Sequence, residues 1–503
     1  MSSDSTNSDS CDPPFDDWSV VLDENVSTQQ QIAEQLGPQP FQTMRREIIA
    51  AARSFSSELN SIAADVGLTE PVMPRHLDDD LHELARKPIV ASGHQPIIFH
   101  PGILAKNLRL EQLANQKEAL GLLVLIDTDE GDASQVVFPS SSQDAELKRQ
   151  TESLGDSGKL FLSQSIGDVE TISNARQRVT KSLSDLGFTE PARRVDDVLG
   201  QYSKLKGKPT AIANSIVRRI WENQPSYLEV PLSAIVSLPS VRAFIESLIR
   251  QGANLHETYN ATLTKYRKDH KIRNRANPFP NLSSDGASIE LPFWIVDVAE
   301  GTRSPLVIDR DAPQSFEGDK HIGPRGMLIT TILRLILSDV FIHGTGGAKY
   351  DKCTDQFVSA MFNIVPPKFV AATATRHLFT EELAEVAKVR ALREQVKDVY
   401  SRFKRHAESG TFQGAEQANA TDLLQRRTDA IERLKAAKAA RESAAAINDD
   451  LKEIDNEIML FVERVVTKGE VSEEPSPETL QVLENRTYPF FFFSKPNSSC
   501  GQQ

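Results

Sequence analysis

The sequence predicts an α/β protein whose core is a parallel β-sheet covered by helices. The short apolar run Ile89–Ala91 is followed by a turn, a helical segment that begins at Pro101, and the continuous apolar run Leu122–Ile126. Proline is favourable at the first helical position because its missing N–H would have no partner there. An unbroken apolar run is typical of a parallel strand that is buried on both faces. Strand, helix and strand in this order form a βαβ unit.

Composition restricts the class of protein. The chain has 503 residues, of which 39% are hydrophobic and 25% are charged. This length is enough for two or three domains with substantial cores. Its formal net charge of −13 argues against bulk binding to nucleic acid or to an anionic membrane, so we expect neither partner. No apolar run is long enough to span a bilayer, and the polar, acidic N-terminus lacks the features of a signal peptide. The three cysteines, Cys11, Cys353 and Cys500, are far apart and form no CxxC pair, so a reducing cytoplasm fits best.

The chain is predicted to divide into four regions. Residues 1–38, rich in Ser, Asp and Gln, are expected to form a disordered, acidic and polar tail. Residues 39–380 are expected to form a Rossmann-like core with inserted, mainly helical subdomains at about 140–285. Residues 381–470 are expected to form a helical coiled-coil hairpin, and residues 471–503 a C-terminal segment whose aromatic run docks on the core.

Hydrophobic spacing predicts the elements within these regions. Apolar residues near helical spacing predict a helix at 41–66, and the pattern from Gly326 to Phe341 predicts another. LPFWIVD at 291–297 and PLVID at 305–309 are typical of strands. Within 381–470, apolar residues recur at steps of three, four or seven with charged flanks, as in the seam of a coiled coil. Two such helices joined by a loop indicate an antiparallel hairpin, through which two copies could form a homodimer.

The first candidate ligand-binding segment is the turn after the first predicted strand, GHQPIIFHPG at 93–102. A loop at the carboxyl end of a parallel strand is where α/β sheets bind ligands, and the following helix offers unpaired N–H groups to an anion. Its candidate residues are Gly93, His94, Gln95, Pro96, His100, Lys106 and Arg109. The histidines could donate to a phosphate, and the two cations could neutralise it. Alternatively the histidines only cap the helix, since the segment matches no standard phosphate loop.

The second candidate segment is DTDEGD at 127–132, directly after the second predicted strand. It places four carboxylates, Asp127, Asp129, Glu130 and Asp132, within six residues. Such a cluster could hold Mg²⁺, position an amine or supply a general base. The alternative is a solvated acidic turn.

The third candidate segment is HGTGGAKYD at 343–351. Gly344, Gly346 and Gly347 would permit positive φ and close approach of the backbone to a ligand, while His343 and Lys349 could contact a phosphate. The glycine spacing is not that of a P-loop. The alternative is a helix C-cap followed by a turn, which glycine also explains.

These three segments resemble those of the bacillithiol-biosynthesis cysteine-adding enzymes. The best anchors are SGHQP, DTDEGDA and FIHGTGGAKY, in the order strand, acidic turn and glycine-rich turn, followed by a PP-containing link and a long helical hairpin. The resemblance implies a Rossmann-like core similar to that of class I aminoacyl-tRNA synthetases, with inserted subdomains and a C-terminal coiled coil. It implies the joining of cysteine to a glucosaminyl-malate acceptor. This chain has His94 where that family usually has a second glutamine, and DTDEGD where it has an acidic–His–acidic run.

The leading functional hypothesis is a nucleotide-dependent small-molecule ligase that joins an amino acid to an amino-sugar-type acceptor. Its predicted catalytic residues are His94, Asp127, Asp129, Asp132 and His343. The residues predicted to bind ATP or ADP are Gly93, Gln95, His100, Lys106, Gly344, Gly346, Gly347 and Lys349, and those predicted to bind Mg²⁺ are Asp129 and Glu130. Two alternatives stay open: a nucleotidyl or sugar-phosphate transferase on the same fold, and a non-catalytic coiled-coil scaffold with a vestigial pocket.

Overall fold

The structure is a computed structural model that describes residues 7–68, 79–142, 146–274, 276–310, 321–469 and 473–495. Two compact units emerge from it. One comprises Asn7–Leu378 together with the segment from Asn485 onward, and the other is Phe379–Glu484.

The first half of the larger unit alternates helices with the first three strands of its main sheet. Its elements are β1 Ser8–Asp12, α1 Trp18–Leu36, α2 Pro38–Asp65, α3 Leu81–Leu84, β2 Ile89–His94, α4 Pro101–Gln116, β3 Leu120–Leu125, β4 Glu130–Gly131, β5 Gln135–Ser141, β6 Leu147–Ser153, β7 Lys159–Leu160, α5 Val169–Asp185, α6 Thr189–Lys204 and α7 Thr210–Trp221. The predicted strand–helix–strand unit is present as β2, α4 and β3, with α4 beginning at Pro101.

The second half of the larger unit adds the remaining strands of the main sheet and a second, smaller sheet. Its elements are β8 Leu228–Pro231, α8 Leu232–Ser237, α9 Pro239–Arg250, α10 Gly252–Asp269, β9 Ser288–Asp297, β10 Thr302–Asp309, β11 His321–Pro324, α11 Met327–Ile332, a π-helical turn Leu333–Leu337, β12 Val340–His343, α12 Thr345–Phe362 and β13 Phe369–Thr375.

The fold is mixed α/β with a mostly parallel central sheet, as the sequence predicts. The sheet has the strand order β1-β13-β12-β2-β3-β8, in which the five strands from β13 to β8 are parallel. The edge strand β1 pairs antiparallel with β13. Its sequence, SDSCD, carries no apolar alternation, which explains why the sequence gives no sign of a strand there.

Alternate residues of the central strands enter two separate hydrophobic cores. In β2, Ile89 and Ala91 belong to one core, and Val90 belongs to the other. Helices α2, α9, α10 and α12 contribute to the first core, while α4 and the first turns of α1 contribute to the second. Because both faces of the sheet are covered, its strands read as continuous apolar runs.

The predicted disordered tail at 1–38 is wrong for the residues that the structure describes. Trp18 and Leu22 are fully buried in the core on the α4 side of the sheet. The indole Nε1 of Trp18 donates to the carbonyl oxygen of Pro13 at 2.8 Å. Although most of this segment is polar, it is ordered because its few large apolar side chains lie on one helix face. Residues 1–6 lie outside the described residues.

Two further predictions about the larger unit need correction, and a third is confirmed with an unexpected pairing. The region at about 140–285 is not wholly an insertion, because β8 is a strand of the central sheet. The strands predicted at 291–297 and 305–309 exist, but they pair antiparallel with each other and with β11 in a separate sheet, β10-β9-β11. The helix predicted from Gly326 to Phe341 ends at Leu337, and Val340–His343 is a strand. A short apolar run does not by itself distinguish a buried helix from a buried strand.

The smaller unit is helical. Its helices are α13 Thr380–Ser401, α14 Phe403–Glu408, α15 Ala415–Ala440, α16 Ala445–Thr467 and α17 Pro477–Leu483. Helices α15 and α16 are linked by ion pairs between Arg426 and Glu457 and between Arg433 and Asp450. Apolar side chains of α15 and α16, such as Leu423 and Ile458, share one buried cluster with residues of α13 and α14.

Candidate functional site

The three motif segments follow three adjacent strands of the central sheet. β12 pairs with β2 so that Ile342 lies opposite Ser92, and β2 pairs with β3 so that His94 lies opposite Leu125. The segments that begin at His343, Gly93 and Asp127 therefore leave the same edge of the sheet side by side. In open α/β sheets this carboxyl edge is where ligands bind.

The first segment places His94 and Gln95 at this edge. His94 Nδ1 lies 3.1 Å from the carbonyl oxygen of Gln95, and its ring meets Phe99 edge-on with the ring centroids 5.4 Å apart. Burial and the nearby Lys106 ammonium lower the pKa of His94 to about 3, so the imidazole is neutral at physiological pH. Gln95 Nε2 donates to Asp129 Oδ2 at 3.1 Å and so links the first segment to the second. His94 can therefore offer one neutral ring nitrogen, but not a cation.

His100 and Lys106 form hydrogen bonds to the protein backbone and are not directed at an anion. His100 is the N-cap of α4, and its Nδ1 accepts from the backbone N–H of Gly102 at 3.1 Å. Burial lowers the pKa of His100 to about 4. Lys106 is 3% exposed, and its Nζ donates to the carbonyl oxygen of Gly93 at 2.8 Å. The predicted phosphate contact of Lys106 is wrong in this arrangement, because the ammonium points beneath the loop and away from solvent.

The second segment separates its four carboxylates. Asp127 is buried and accepts from the backbone N–H of Ser233 at 2.9 Å and from the Ser233 hydroxyl. Asp132 accepts from Gln135 Nε2 at 2.6 Å and from the backbone N–H of Gly158 at 2.8 Å. Asp132 therefore braces its own turn, and only Asp129 and Glu130 stay near each other.

Asp129 and Glu130 share one cation that the sequence does not reveal. Arg303, from the start of β10, lies 2.7 Å from Asp129 Oδ1 and 3.4 Å from Glu130 Oε1. Its guanidinium also stacks over the ring of Trp294 at 4.5 Å from the centroid, and Arg325 stacks over the same ring at 4.2 Å. No sequence motif points to Arg303, because it lies more than 170 residues away in a different sheet. The arginine supplies the positive charge that a metal would otherwise bring.

Metal-ligand geometry is not found at this turn. Among the described residues, no group of three or more His, Cys, Asp or Glu side chains is arranged to hold a metal ion. Mg²⁺ at Asp129 and Glu130 would have to displace the Arg303 guanidinium from both carboxylates. The residues present therefore do not fit the predicted magnesium site.

The third segment contains a buried ion pair at its base. His343 is 6% exposed, and its Nε2 lies 2.9 Å from Asp351 Oδ2. The Asp351 carboxylate also accepts from Arg334 Nη1 at 2.5 Å and from Thr330 Oγ1 at 2.7 Å. Although burial opposes ionisation, the Arg334 and His343 charges hold the pKa of Asp351 below its usual range. The ring of His343 contacts the rings of both Phe341 and Phe369. His343 is thus fixed in orientation by a carboxylate, as in the base–orienter pairs of many active sites.

The glycines of this segment form the first turn of α12. Gly344 is the N-cap with φ −80°, and the described backbone places neither Gly346 nor Gly347 at positive φ. The predictions of positive φ and of a helix C-cap are therefore both wrong. A Cβ at Gly344 or Gly346 would meet no atom within 4 Å, whereas one at Gly347 would lie 3.1 Å from His343 Nδ1. The glycines leave the backbone N–H groups of the helix start uncovered, next to the free nitrogen of His343.

Lys349 lies on the exposed side of α12, and its carbonyl oxygen accepts from the Tyr266 hydroxyl at 2.7 Å. The structure therefore assembles His94, Gln95, Asp129, His343 and the glycine turn at one sheet edge. It assigns His100, Lys106 and Asp132 to structural hydrogen bonds. The signal that could have revealed the His343 partner is Asp351, the last residue of the motif itself, eight positions further along.

No known protein family matches the sequence, and no curated protein is significantly similar to it. Among the described residues, no helix combines the length and the apolar character that crossing a membrane requires.

Proposed function

We propose that this chain is a small-molecule ligase that binds the phosphate or carboxylate of its substrate between the carboxyl ends of β2 and β12. The parallel strands, taken in chain order, are arranged 3-2-1-4-5, which is the order of a Rossmann-like sheet. In such sheets the ligand enters the crevice where the strand order reverses. Here that reversal falls between β2 and β12, the two strands that carry His94 and His343.

The observation that carries the proposal is the open start of α12 at this reversal. Uncapped N–H groups and the positive end of the helix dipole favour an anion at a helix N-terminus. Gly344 and Gly346 leave space for one, since no atom lies within 4 Å of a Cβ built at either position. The Gly344 N-cap has no side chain that could compete for those N–H groups.

A nucleotide fits this arrangement, and magnesium does not. The N–H groups of the α12 start would hold a phosphate of ATP or ADP, and Nδ1 of His343 would lie beside it. The neutral His94 ring donates from Nδ1 to the Gln95 carbonyl oxygen, so its Nε2 could only accept, from a hydroxyl or amino group of the ligand. When bound, ATP would activate a carboxyl group of a substrate. The chain's own residues would orient that group: Gln95 and Asp129 are joined at 3.1 Å, and Asp351 fixes the His343 ring. Arg303 already neutralises Asp129 and Glu130, so the proposed reaction places no metal ion there.

The resemblance to the bacillithiol-biosynthesis cysteine-adding enzymes supplies the reaction class of the proposal. The hydrophobic spacing within residues 381–470 supplies the further expectation that α15 and α16 act as a coiled-coil hairpin, and that two copies pair through it. Carbon–nitrogen bond formation is the reaction we propose, with an amino acid as one substrate. A nucleotidyl or sugar-phosphate transferase would use the same anion crevice, so the product, rather than nucleotide binding, distinguishes the two.

The experiment replaces Gly346 by aspartate and, in a matched variant, by alanine. Both side chains enter open space, and both should keep or raise helix stability, alanine by propensity and aspartate through the helix dipole. Only aspartate places a negative charge where the anion is proposed to bind. We expect ATP and ADP to raise the melting temperature of the wild-type chain and of Gly346→Ala, and to leave that of Gly346→Asp unchanged.

A charge control and a product measurement complete the design. Val169→Asp adds the same charge to the first turn of α5, where Val169 is 46% exposed, and it should bind nucleotide like the wild type. Mass spectrometry of mixtures of ATP, cysteine and an amine, either an amino sugar or an apolar primary amine, would show whether an amide product forms. If no nucleotide or other anion shifts the wild-type melting temperature, or if Gly346→Asp still binds them, the proposed crevice is wrong.

A further inference from the structure

A cavity of about 420 Å³ opens beside the second motif segment, where β3 and β8 end. It lies between the carboxyl edge of the central sheet, the helices α7 and α8, and the smaller sheet. Most of its walls are apolar side chains, among them Phe55, Leu162, Ile212, Val236, Val296 and Ile322. The size and the apolar character are those of small-molecule binding sites.

Asp127 is the one carboxylate that lines this cavity among the described residues. It is 4% exposed, and both of its oxygens accept hydrogen bonds from Ser233. No described lysine, arginine or histidine forms an ion pair with it, whereas Asp129 has Arg303 and Asp351 has Arg334. Burial accordingly raises the pKa of Asp127 to about 6. At neutral pH the cavity therefore holds a negative charge that the protein does not neutralise.

A buried carboxylate without a cationic partner is costly, and a cation brought by a ligand would remove that cost. Each carboxylate oxygen has two lone-pair directions, so Ser233 leaves Asp127 able to accept from a further donor. The few other polar side chains at the cavity are Thr128, Ser233, Ser237 and His321. A ligand rich in hydroxyl groups would lose its water there without gaining enough partners.

We infer that this cavity binds a primary amine with an apolar body, with its ammonium group on Asp127. The inference deepens the proposed function. The binding of the amine stands by itself, but its role as the acceptor substrate rests on the proposed ligase activity. It replaces the amino sugar that the family resemblance implies with an acceptor whose carbon skeleton is largely aliphatic or aromatic.

The competing explanation is that Asp127 only caps the short helix α8. Asp127→Asn separates the two, because asparagine is as good a cap as aspartate and can still accept from Ser233. The substitution removes only the negative charge of the Asp127 carboxylate. The probes are n-hexylamine, n-hexanol and n-hexanoate, which share one apolar chain, titrated calorimetrically into the full chain at neutral pH without nucleotide.

We expect n-hexylamine to bind the wild-type chain at least about tenfold more tightly than n-hexanol. n-Hexanoate should not bind detectably. Asp127→Asn should lose that preference for the amine while keeping the wild-type melting temperature. Ala234→Phe, which adds a ring to the cavity wall, should weaken n-hexylamine and n-hexanol alike.

The opposite results are equally clear. Equal affinity for n-hexylamine and n-hexanol, no binding of the amine at millimolar concentration, or unchanged amine binding in Asp127→Asn would each overturn the inference. Gly346→Asp should bind n-hexylamine like the wild type, since its added charge is meant to affect only the anion crevice. The amine test can therefore be interpreted independently, even if the nucleotide test fails.

Discussion

The ammonium group of Lys106 donates to the carbonyl oxygen of Gly93 across 2.8 Å, and so ties the first turns of α4 to the end of β2. Burial lowers the pKa of Lys106 to about 7. This hydrogen bond fixes the backbone of the loop that carries His94. It also means that a lysine which the sequence offers as a phosphate ligand is a buried support for the loop.

Lys106 should make the stability of the fold depend on pH. Its folded-state pKa, about 7, is below its ordinary value of 10.5, so the folded chain binds fewer protons than the unfolded chain between these values. The free energy of unfolding attributable to Lys106 should therefore rise with pH across that window. We expect the difference between wild type and Lys106→Met to shift by at least about 1 kcal/mol in favour of wild type from pH 7 to pH 9.

Urea unfolding of both proteins at several pH values measures this difference. Lys349→Met is the matched control, because it makes the same substitution at an exposed lysine. A constant difference between wild type and Lys106→Met across the window would show that Lys106 stays protonated in the folded chain.

Trp18 should contribute as a core residue. Its side chain is fully buried against the sheet and donates to Pro13, so Trp18→Ala creates a large cavity and removes a hydrogen bond. We expect a loss of about 3–5 kcal/mol in the free energy of unfolding. Val20→Ala, two residues away but 58% exposed, should cost less than about 0.5 kcal/mol. Similar losses of free energy for both variants would show that Trp18 is not a core residue, and would support the disordered tail that the composition predicts.

The parts of the fold that the sequence predicts well are those decided by local pattern. The apolar runs of β2 and β3, the proline at the start of α4, and the helix at 41–66 all correspond to observed elements. The edge strand β1 is different, because its five residues are held by hydrogen bonds to the backbone of β13 and by no pattern of their own. The strand Val340–His343 is likewise decided by its position between β2 and β13.

The site is less predictable because its partners are remote in sequence. The acidic turn looks like a metal site until Arg303 is brought beside Asp129 by the smaller sheet. His343 looks like a phosphate donor until the fold shows that one of its nitrogens faces Asp351. In both cases the motif identifies the right position in the fold, but the tertiary partner decides which charge is available there.

Arg303 should hold the acidic turn through both its charge and its flat shape. It contacts Asp129 and Glu130 and stacks on Trp294, and its side chain is 16% exposed. We expect Arg303→Ala to lower the free energy of unfolding by about 1–2 kcal/mol, since partly exposed ion pairs and cation–π contacts are each modest. Arg303→Lys should recover only part of the loss, because lysine keeps the charge but not the planar contact with two carboxylates.

Chemical denaturation measures these losses, and a titration with Mg²⁺ tests the metal alternative in the same proteins. Millimolar Mg²⁺ should not raise the melting temperature of the wild-type chain, because Arg303 occupies both carboxylates. A clear stabilisation of the wild type by Mg²⁺, abolished by Asp129→Asn, would contradict this assignment.

Asp351 should be the most sensitive position at the base of the third segment. It neutralises Arg334, whose side chain is 3% exposed, and it orients His343. Asp351→Asn leaves the guanidinium with Asp355 at 2.8 Å as its remaining carboxylate. Because Asp355 is partly exposed and would have to neutralise the buried guanidinium alone, we expect a loss of about 3 kcal/mol in the free energy of unfolding. Asp355→Asn removes the partner that is 35% exposed and should cost less than half as much, since water can compensate there. Urea unfolding of both variants measures these losses. Equal losses in the two variants would show that Asp351 is no more important than Asp355 for neutralising the Arg334 guanidinium.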